Sequence, residues 1–232
     1  MSTSIESKQV LRSEYQRSIA AYWNVEKAPV NLRLGDVDGL YHHHYGIGAV
    51  DTAALEGPEE GRDERIIKEL HRLETAQADL LLDSLGPVGP EDYLLDAGCG
   101  RGGTSVMANQ RFGCFVDGIS ISEQQVAFAN ARAAERKITD KVKYHFRNML
   151  DTKFPSAMRR AIWNNESTMY VDLNELFAEH ARQLVPGGRY VTITGCYNDV
   201  LGGRTRARQH VRDPQQVAGR DRRTDVALAV AG

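Results

Sequence analysis

The chain has 232 residues, 41% of them hydrophobic and 26% charged, and its formal net charge at pH 7 is −2. This length allows one α/β domain with a sizeable core and one extra element. The charge gives no reason to expect a nucleic acid or a membrane as partner, and no stretch approaches the roughly 20 apolar residues of a spanning helix. The N-terminus lacks the apolar core of a signal peptide, so we expect a cytoplasmic protein.

The first 62 residues are predicted to form a helix followed by a lid. After Ser13, apolar residues recur at helical spacing, namely Tyr15, Ile19, Tyr22 and Trp23. The next segment, residues 30–48, is called the lid here. It holds Arg33 and then three consecutive histidines, His42, His43 and His44, between Tyr41 and Tyr45. Adjacent residues do not share one helical face, so the histidines make a poor metal triad. Two interpretations stay open, loop histidines with local hydrogen bonds or a lid that folds over a ligand.

A glycine-rich loop near the middle of the chain carries the strongest signal. An amphipathic helix is predicted from about Asp63 to Leu85, followed by a short buried strand at 93–97. Asp96 in that strand leads into the loop with Gly98 and Gly100, and a helix follows. Strand, glycine loop and helix hold nucleotide-like cofactors at the carboxyl end of a parallel sheet. No Lys of a phosphate loop follows; a dinucleotide site and an ordinary glycine turn are the alternatives.

The next two predicted strands, 114–119 and 142–146, each end in candidate cofactor contacts. Ser120 lies where the ribose of a nucleotide is expected. Ser120 and Gln125 are our candidates for the ribose hydroxyls, with Glu123 as the competing candidate. After the third strand, Asn148 and Met149 are expected to contact an adenine, with a plain strand exit as the alternative.

A fourth strand is predicted at 160–165, and Glu166 follows it. Reacting groups lie at this edge of such sheets. Glu166 is therefore a candidate for the chemistry, although it could merely cap the next helix. That helix should end before a turn at Pro186-Gly187-Gly188, and a fifth strand is predicted at 190–194.

Several of these stretches together resemble the bacterial geranyl diphosphate 2-C-methyltransferases. The resemblance runs from about Tyr15 to about Tyr197 and is most specific in the lid, in LLDAGCGRGG and in WNNESTMYVDL. It implies a class I, Rossmann-like methyltransferase that depends on S-adenosylmethionine (SAM). The implied reaction methylates C2 of geranyl diphosphate, on the route to 2-methylisoborneol, with Mg²⁺ at the diphosphate.

The resemblance also implies roles for individual residues. Glu166 and Tyr45 would face the substrate cation, with Glu166 as the stabilising carboxylate and base. The SAM contacts would be Asp96, Gly98, Gly100, Ser120, Gln125, Asn148 and Met149. Arg33, His42, His43, His44 and Asn165 are the candidates for the substrate and its diphosphate. The lid could also be exchanged between copies of the chain.

The tail, residues 198–232, departs from the family pattern. From residue 203 onward it holds seven arginines, no lysine and no aromatic residue. A reading-frame shift in a GC-rich gene is our preferred interpretation, and a basic tail for an acidic partner is the alternative. We therefore expect an N-terminal region at 1–62, a SAM-binding core at 63–197 and a disordered tail. The predicted sheet lacks its last two strands, which leaves the fifth strand with a free edge.

Three functions follow from these predictions. The first is C-methylation of geranyl diphosphate, impaired to the extent that the altered C-terminus matters. The second is the same reaction on another prenyl diphosphate. The third is SAM binding without turnover.

Overall fold

The carboxyl ends of five parallel strands meet at one edge of the sheet, and this edge positions the site. The computed structural model describes residues 10–25, 29–196 and 225–231. The strands are β1 Tyr93–Ala97, β2 Phe115–Ser120, β3 Val142–Phe146, β4 Arg159–Asn165, β5 Leu184–Cys196 and β6 Asp225–Ala231. Their order in the sheet is β3-β2-β1-β4-β5-β6. The order reverses between β1 and β4, the point at which doubly wound sheets open a binding crevice.

Helices cover both faces of this sheet. They are α1 Glu14–Asn24, α2 Pro29–Gly35, α3 Ala53–Glu56, α4 Arg62–Asp83, α5 Gly103–Phe112, α6 Glu123–Glu135 and α7 Leu173–Gln183, with a 3-10 turn at Thr168–Tyr170. Side chains start several of them: Ser13 accepts from the N–H of Gln16, and Ser122 accepts from the N–H of Gln125. Each bond satisfies a backbone donor that the first helical turn leaves unpaired. None of the described helices is long and apolar enough to cross a membrane.

The core consists of two apolar layers separated by the sheet. The larger layer packs helix side chains such as Leu81 and Val106 against Leu94 and Trp163. The smaller one lies on the other face, around Leu95, Ile119 and Ile162. Strands buried on both faces are the reason why β1 and β4 show continuous apolar runs rather than alternation. The predicted parallel α/β sheet with helices on both faces is confirmed.

Two details of the C-terminal half differ from the prediction. Strand β5 begins at Leu184, so Pro186-Gly187-Gly188 lies in an irregular start of the strand, with a register shift against β4, and not in a separate turn. The predicted free edge of β5 was also wrong. Strand β6, from within the tail, pairs antiparallel with it, from Tyr190 opposite Ala231 to Cys196 opposite Asp225. This pairing satisfies backbone groups that an edge strand would expose. The arginine-rich part of the tail lies outside the described residues.

Candidate active site

A cleft opens above the carboxyl ends of β1, β2, β3 and β4. Its empty volume is about 750 Å³, part of it open to solvent. The lining residues come from the N-terminal helix, the lid, the glycine loop and the ends of the strands: Gln16, Ile19, Trp23, His43, Gly98, Gly100, Ile119, Ser120, Ile121, Gln125, Arg147, Asn148, Met149, Asn165, Glu166, Ser167, Tyr170 and Val171.

Two glycines form the floor of the cleft at the end of β1. Gly98 has φ +87°, and a Cβ built there would lie 2.5 Å from Cβ of Ser167. Gly100 has φ +54°, but a Cβ there would meet nothing within 4 Å. Gly98 therefore allows close packing inside the protein, whereas Gly100 leaves open space on the cleft side. A ligand can approach the backbone at Gly100 because no side chain intervenes.

Asp96 lies beneath this loop and does not line the cleft. Its carboxylate is buried and accepts a 2.6 Å hydrogen bond from Oγ of Ser105 on α5. Burial raises the pKa of Asp96 to about 7, despite that hydrogen bond. The structure thus gives Asp96 a part in fixing the start of α5 to β1.

The end of β2 presents a hydroxyl and an amide to the cleft, as the sequence predicts. Ser120 donates its Oγ–H to Oε1 of Gln125 at 2.8 Å and accepts from the N–H of Ser122 at 3.0 Å. This arrangement leaves the Nε2 group of Gln125 as a donor for a ligand. Glu123 is exposed and is not among the lining residues.

At the end of β3, Asn148 and Met149 line the cleft in different ways. Nδ2 of Asn148 donates to the carbonyl of Val10 and to Oε1 of Gln16, both at 2.9 Å, and its Oδ1 accepts from the N–H of Leu150. The amide that we expected to meet an adenine is occupied in holding α1 against the sheet. Met149 remains as the apolar contact.

Helix α1 forms a wall of the cleft that the sequence did not reveal. Ile19 and Trp23 stand on the predicted apolar face of this helix, but nothing in their spacing shows what the face covers. Ser122, the cap residue of α6, donates to Oδ1 of Asn24 at 2.8 Å and so ties the end of α1 to the start of α6. Arg147 was also missed. Among the described lining residues it is the only arginine or lysine, and its guanidinium lies 4.2 Å from the ring centre of Phe154.

Glu166 lines the cleft after β4 in a strained backbone conformation. Its φ is +52°, in the left-handed region that residues other than glycine seldom adopt. Burial raises the pKa of its carboxyl, and a hydrogen bond from Gln77 partly offsets this rise. The alternative role as a helix cap is wrong, because the Asp172 side chain caps α7 by accepting from the N–H groups of Asn174 and Glu175. Strained positions of this kind are concentrated at functional sites.

A buried amide fixes the turn that carries Glu166. Nδ2 of Asn164 donates to the carbonyl of Ala97 at 2.6 Å and to Oγ of Ser167 at 2.9 Å. Its Oδ1 accepts from the hydroxyl of Tyr190. The N–H of Glu166 donates to the carbonyl of Ile193. The turn is therefore bound both to the glycine loop and to β5.

The lid packs on the helices beside the cleft and brings only one of its predicted residues into the lining. The Tyr41 carbonyl accepts from the N–H of Gly103, and the N–H of Ile47 donates to the carbonyl of Leu73. His43 lines the cleft, with its ring centre 4.7 Å from that of Trp23. The lid interpretation of the histidines thus has support from His43 alone.

The other lid candidates lie outside the lining. His42 is buried, and burial lowers its pKa to about 2, while the pKa of His44 falls to about 4 for the same reason. Both rings are neutral at pH 7, so neither supplies the cation that we expected for a diphosphate. Arg33 and Tyr45 are exposed, Tyr45 by 74%. Asn165, in contrast, lines the cleft next to Glu166. No group of three metal-ligating side chains converges within the described ranges.

Comparisons with known proteins agree with this geometry. Residues 94–188 match a family model described as a methyltransferase domain. A geranyl diphosphate 2-C-methyltransferase of Saccharopolyspora erythraea is 62% identical over 207 residues, which are 89% of this chain and 73% of that protein. The enzyme of the same name from Streptomyces coelicolor is 61% identical, and the match covers 81% of this chain and 65% of that one.

Solved structures lead to the same group of proteins. The geranyl diphosphate C-methyltransferase of Streptomyces coelicolor, in complex with Mg²⁺, geranyl-S-thiolodiphosphate and S-adenosylhomocysteine, superposes with a TM-score of 0.80 at 59% identity. The match covers 84% of this chain and 70% of that one. A geranyl diphosphate methyltransferase in complex with geranyl diphosphate and sinefungin gives a TM-score of 0.79 at 63% identity, over 81% of this chain and 69% of that one.

Proposed function

Because this chain belongs to the family of geranyl diphosphate 2-C-methyltransferases, we propose that it transfers the methyl group of SAM to C2 of geranyl diphosphate. One observation carries the proposal: the glycine loop after β1 and Glu166 after the neighbouring strand β4 line the same cleft. A methyl transfer needs the methyl donor and the group that controls substrate charge in one cavity. The 2-methylgeranyl diphosphate formed would enter terpenoid biosynthesis.

The residues on the loop side fit SAM. Open space at Gly100 and the start of α5 offer backbone groups to the amino-acid part of the cofactor. Ser120 and Gln125 offer a hydroxyl and an amide to the ribose, and Met149 offers an apolar contact to the adenine. When bound, SAM supplies an electrophilic methyl group. Asp96 supports the loop from below, since its carboxylate is buried away from the cleft.

Glu166 has the properties that the substrate chemistry requires. The C2=C3 electron pair of geranyl diphosphate forms the new C–C bond as the methyl–sulfur bond breaks, and C3 becomes a tertiary cation. Loss of the proton at C2 then restores the double bond. A half-buried carboxylate stabilises the adjacent positive charge strongly because water screens it little. The raised pKa of Glu166 also makes it a better proton acceptor than an exposed glutamate.

Aromatic groups complete the wall around Glu166. Trp23 lies between His43, at 4.7 Å, and Tyr170, at 6.4 Å between ring centres. The faces of such rings stabilise a nearby cation. Tyr45 is proposed to join this wall, as a relay or partner of Glu166. Its exposure in the structure means that this role requires the lid to close over the substrate.

The diphosphate end of the substrate is the less defined part of the proposal. Asn165 lies in the cleft and can donate its Nδ2 group, which is buried without a partner. Arg33, His42 and His44 remain candidates only with movement of the lid, and His43 is the lid histidine already in place. Mg²⁺ would take oxygen ligands from the diphosphate itself, as is usual for this ion, since the described residues form no ready-made metal cluster.

A panel of prenyl diphosphates tests the proposed substrate. With SAM and Mg²⁺, we expect turnover of geranyl diphosphate to exceed that of dimethylallyl and farnesyl diphosphate by at least about tenfold, because these substrates differ by a whole isoprene unit and even one methylene has an effect of about that size in an apolar pocket. Preference for another chain length would reassign the substrate within the same reaction. SAM binding without turnover on any of the three would contradict methyl transfer. The state of association, for which a homo-oligomer is our expectation, is measured on the same sample by light scattering.

A further inference from the structure

We infer that Gln77 is a positioning residue that holds the Glu166 carboxylate in its working orientation and sets the pH range in which it acts. Gln77 lies on α4, a helix that no motif connects with the cleft. Its Nε2 group lies 3.0 Å from Oδ1 of Asn165 and 3.4 Å from Oε1 of Glu166. One amide thus contacts two neighbouring side chains of the substrate wall. This inference rests on the proposed role of Glu166.

Gln77 places a polar amide in a buried position, where only its contacts with the site give it a use. The residue is fully buried, and its Oε1 atom has no hydrogen-bond partner within the described structure. A buried polar atom without a partner destabilises a fold, so an apolar side chain of similar size would suit this position better on stability alone. Among the described residues, the donor side of the amide bonds to Asn165 and Glu166. Residues that cost stability in this way are typical of functional sites.

The backbone of Glu166 makes such support necessary. The left-handed φ of +52° and the hydrogen bond of its N–H to the Ile193 carbonyl fix where the side chain starts. Nothing in that anchoring restrains the far end of the side chain. The amide of Gln77 approaches this carboxylate from the α4 side. A contact of 3.4 Å is long for an N–H···O bond, and catalytic hydrogen bonds often shorten when substrate binds.

Few other groups influence the ionisation of Glu166. Tyr170 of the 3-10 turn interacts electrostatically with Glu166 and also with Tyr15 and Tyr22 of α1 and Tyr45 of the lid. His43 of the lid and Arg147 after β3 line the same cleft, and Glu74 lies one turn before Gln77 on α4. Of the groups around it, the Gln77 amide alone offsets the rise in pKa that burial causes. A donor stabilises the ionised form. Its removal therefore raises the pKa of Glu166 further, and activity that needs the carboxylate is lost at a higher pH.

The test compares Gln77→Met with Gln183→Met. Gln183 lies on α7, is also fully buried, and also has an unpaired Oε1, but it is not among the cleft residues. We expect Gln77→Met to move the acid limb of the kcat profile upward by about 0.5–1 pH unit, in line with loss of one donor to a carboxylate, with unchanged SAM affinity and an unchanged or higher Tm. Gln77→Glu keeps the length but adds a like charge, so it should move the limb further. Gln183→Met should leave the profile in place.

Two results separate the possible failures. If Gln77→Met lowers Tm and leaves the acid limb where it is, the residue is structural and the inference is overturned. If Glu166→Gln keeps full activity, the proposed role of Glu166 fails first, whatever the Gln77 variants do. Loss of activity in Glu166→Gln together with a shifted limb in Gln77→Met, but not in Gln183→Met, supports both.

Discussion

The two sides of the cleft are built in different ways. The side that we assign to the cofactor is formed by the ends of β1, β2 and β3. Its polar groups bond to near neighbours, as Ser120 does with Ser122 and Gln125, and to helix α1, as Asn148 does with Gln16. The substrate side joins distant parts of the chain, since Gln77 and Glu166 are 89 residues apart. It also holds a left-handed Glu166 and unpaired buried atoms. Most polar groups on the cofactor side thus have hydrogen-bond partners. The substrate side contains a strained residue and buried polar atoms without partners, as is common at catalytic sites.

Glu166→Gln should give the largest loss of activity, because it removes the carboxylate charge and keeps the size and shape of the side chain. We expect kcat to fall by about 10²–10⁴-fold, the usual contribution of an acid–base group, while SAM affinity stays unchanged. Labelled-methyl transfer and calorimetric SAM binding measure the two quantities. Glu123→Gln, at an exposed glutamate outside the lining, is the control and should behave as the parent chain. Weaker SAM binding in Glu166→Gln would mean that the two sides are not separable.

Gly100→Ala should weaken the binding of SAM at the glycine loop. The added Cβ meets no protein atom within 4 Å, so it enters space that we assign to SAM, and its φ of +54° adds strain. We expect SAM affinity to fall by about 10–100-fold. This corresponds to a loss of about 1.4–3 kcal/mol in binding free energy, caused by the steric conflict with the ligand.

Gly187→Ala provides the matched control for that variant. Gly187 has φ +72° and likewise nothing within 4 Å of an added Cβ, but it lies outside the cleft. Both variants should lose about 1–2 kcal/mol of unfolding free energy from the left-handed backbone. Equal SAM affinity in the two would contradict the placement of SAM at Gly100.

Tyr45→Phe tests whether the lid adds to the substrate side. The variant keeps the ring and removes only the hydroxyl, so we expect kcat to fall by about tenfold, less than for Glu166, with SAM affinity unchanged. Single-turnover kinetics separate this loss from slower product release. Tyr22→Phe, at another exposed tyrosine, is the control. If kcat of Tyr45→Phe changes by less than twofold, Tyr45 has no role at the substrate.

Asp96→Asn should have the smallest effect on activity, and should instead change stability and its pH dependence. The folded-state pKa of Asp96, about 7, exceeds its ordinary unfolded value of roughly 4. Its contribution to stability is therefore fully present below about pH 4 and is lost as the pH rises towards 7. The amide cannot ionise, so the variant should gain Tm relative to the parent at pH 8 and match it at pH 4.5. Thermal unfolding without ligand measures both; a variant less stable at pH 8 would show that the charged form is needed.

The sequence predicted the lining residues around the glycine loop better than the elements that pack around Glu166, for a physical reason. The glycines, Ser120 and Gln125 act through local backbone geometry, and spacing alone encodes that. Trp23, Gln77 and Arg147 reach the site through packing of separate elements, which a single stretch does not show. The same limit applies to Asn148, whose amide binds α1 instead, and to His42, which burial keeps neutral. The pairing of β6 with β5 was missed because composition dominated our interpretation of the tail.

The most direct test uses the whole 232-residue chain with methyl-labelled SAM, geranyl diphosphate and Mg²⁺, and locates the label in the product by NMR. The account predicts a labelled methyl group on C2 of a product that retains the C2=C3 double bond and the diphosphate. Label at any other carbon, or bound SAM that never releases its methyl group to geranyl diphosphate, would contradict the assignment of Glu166 and the glycine loop to the two halves of one methyltransferase site.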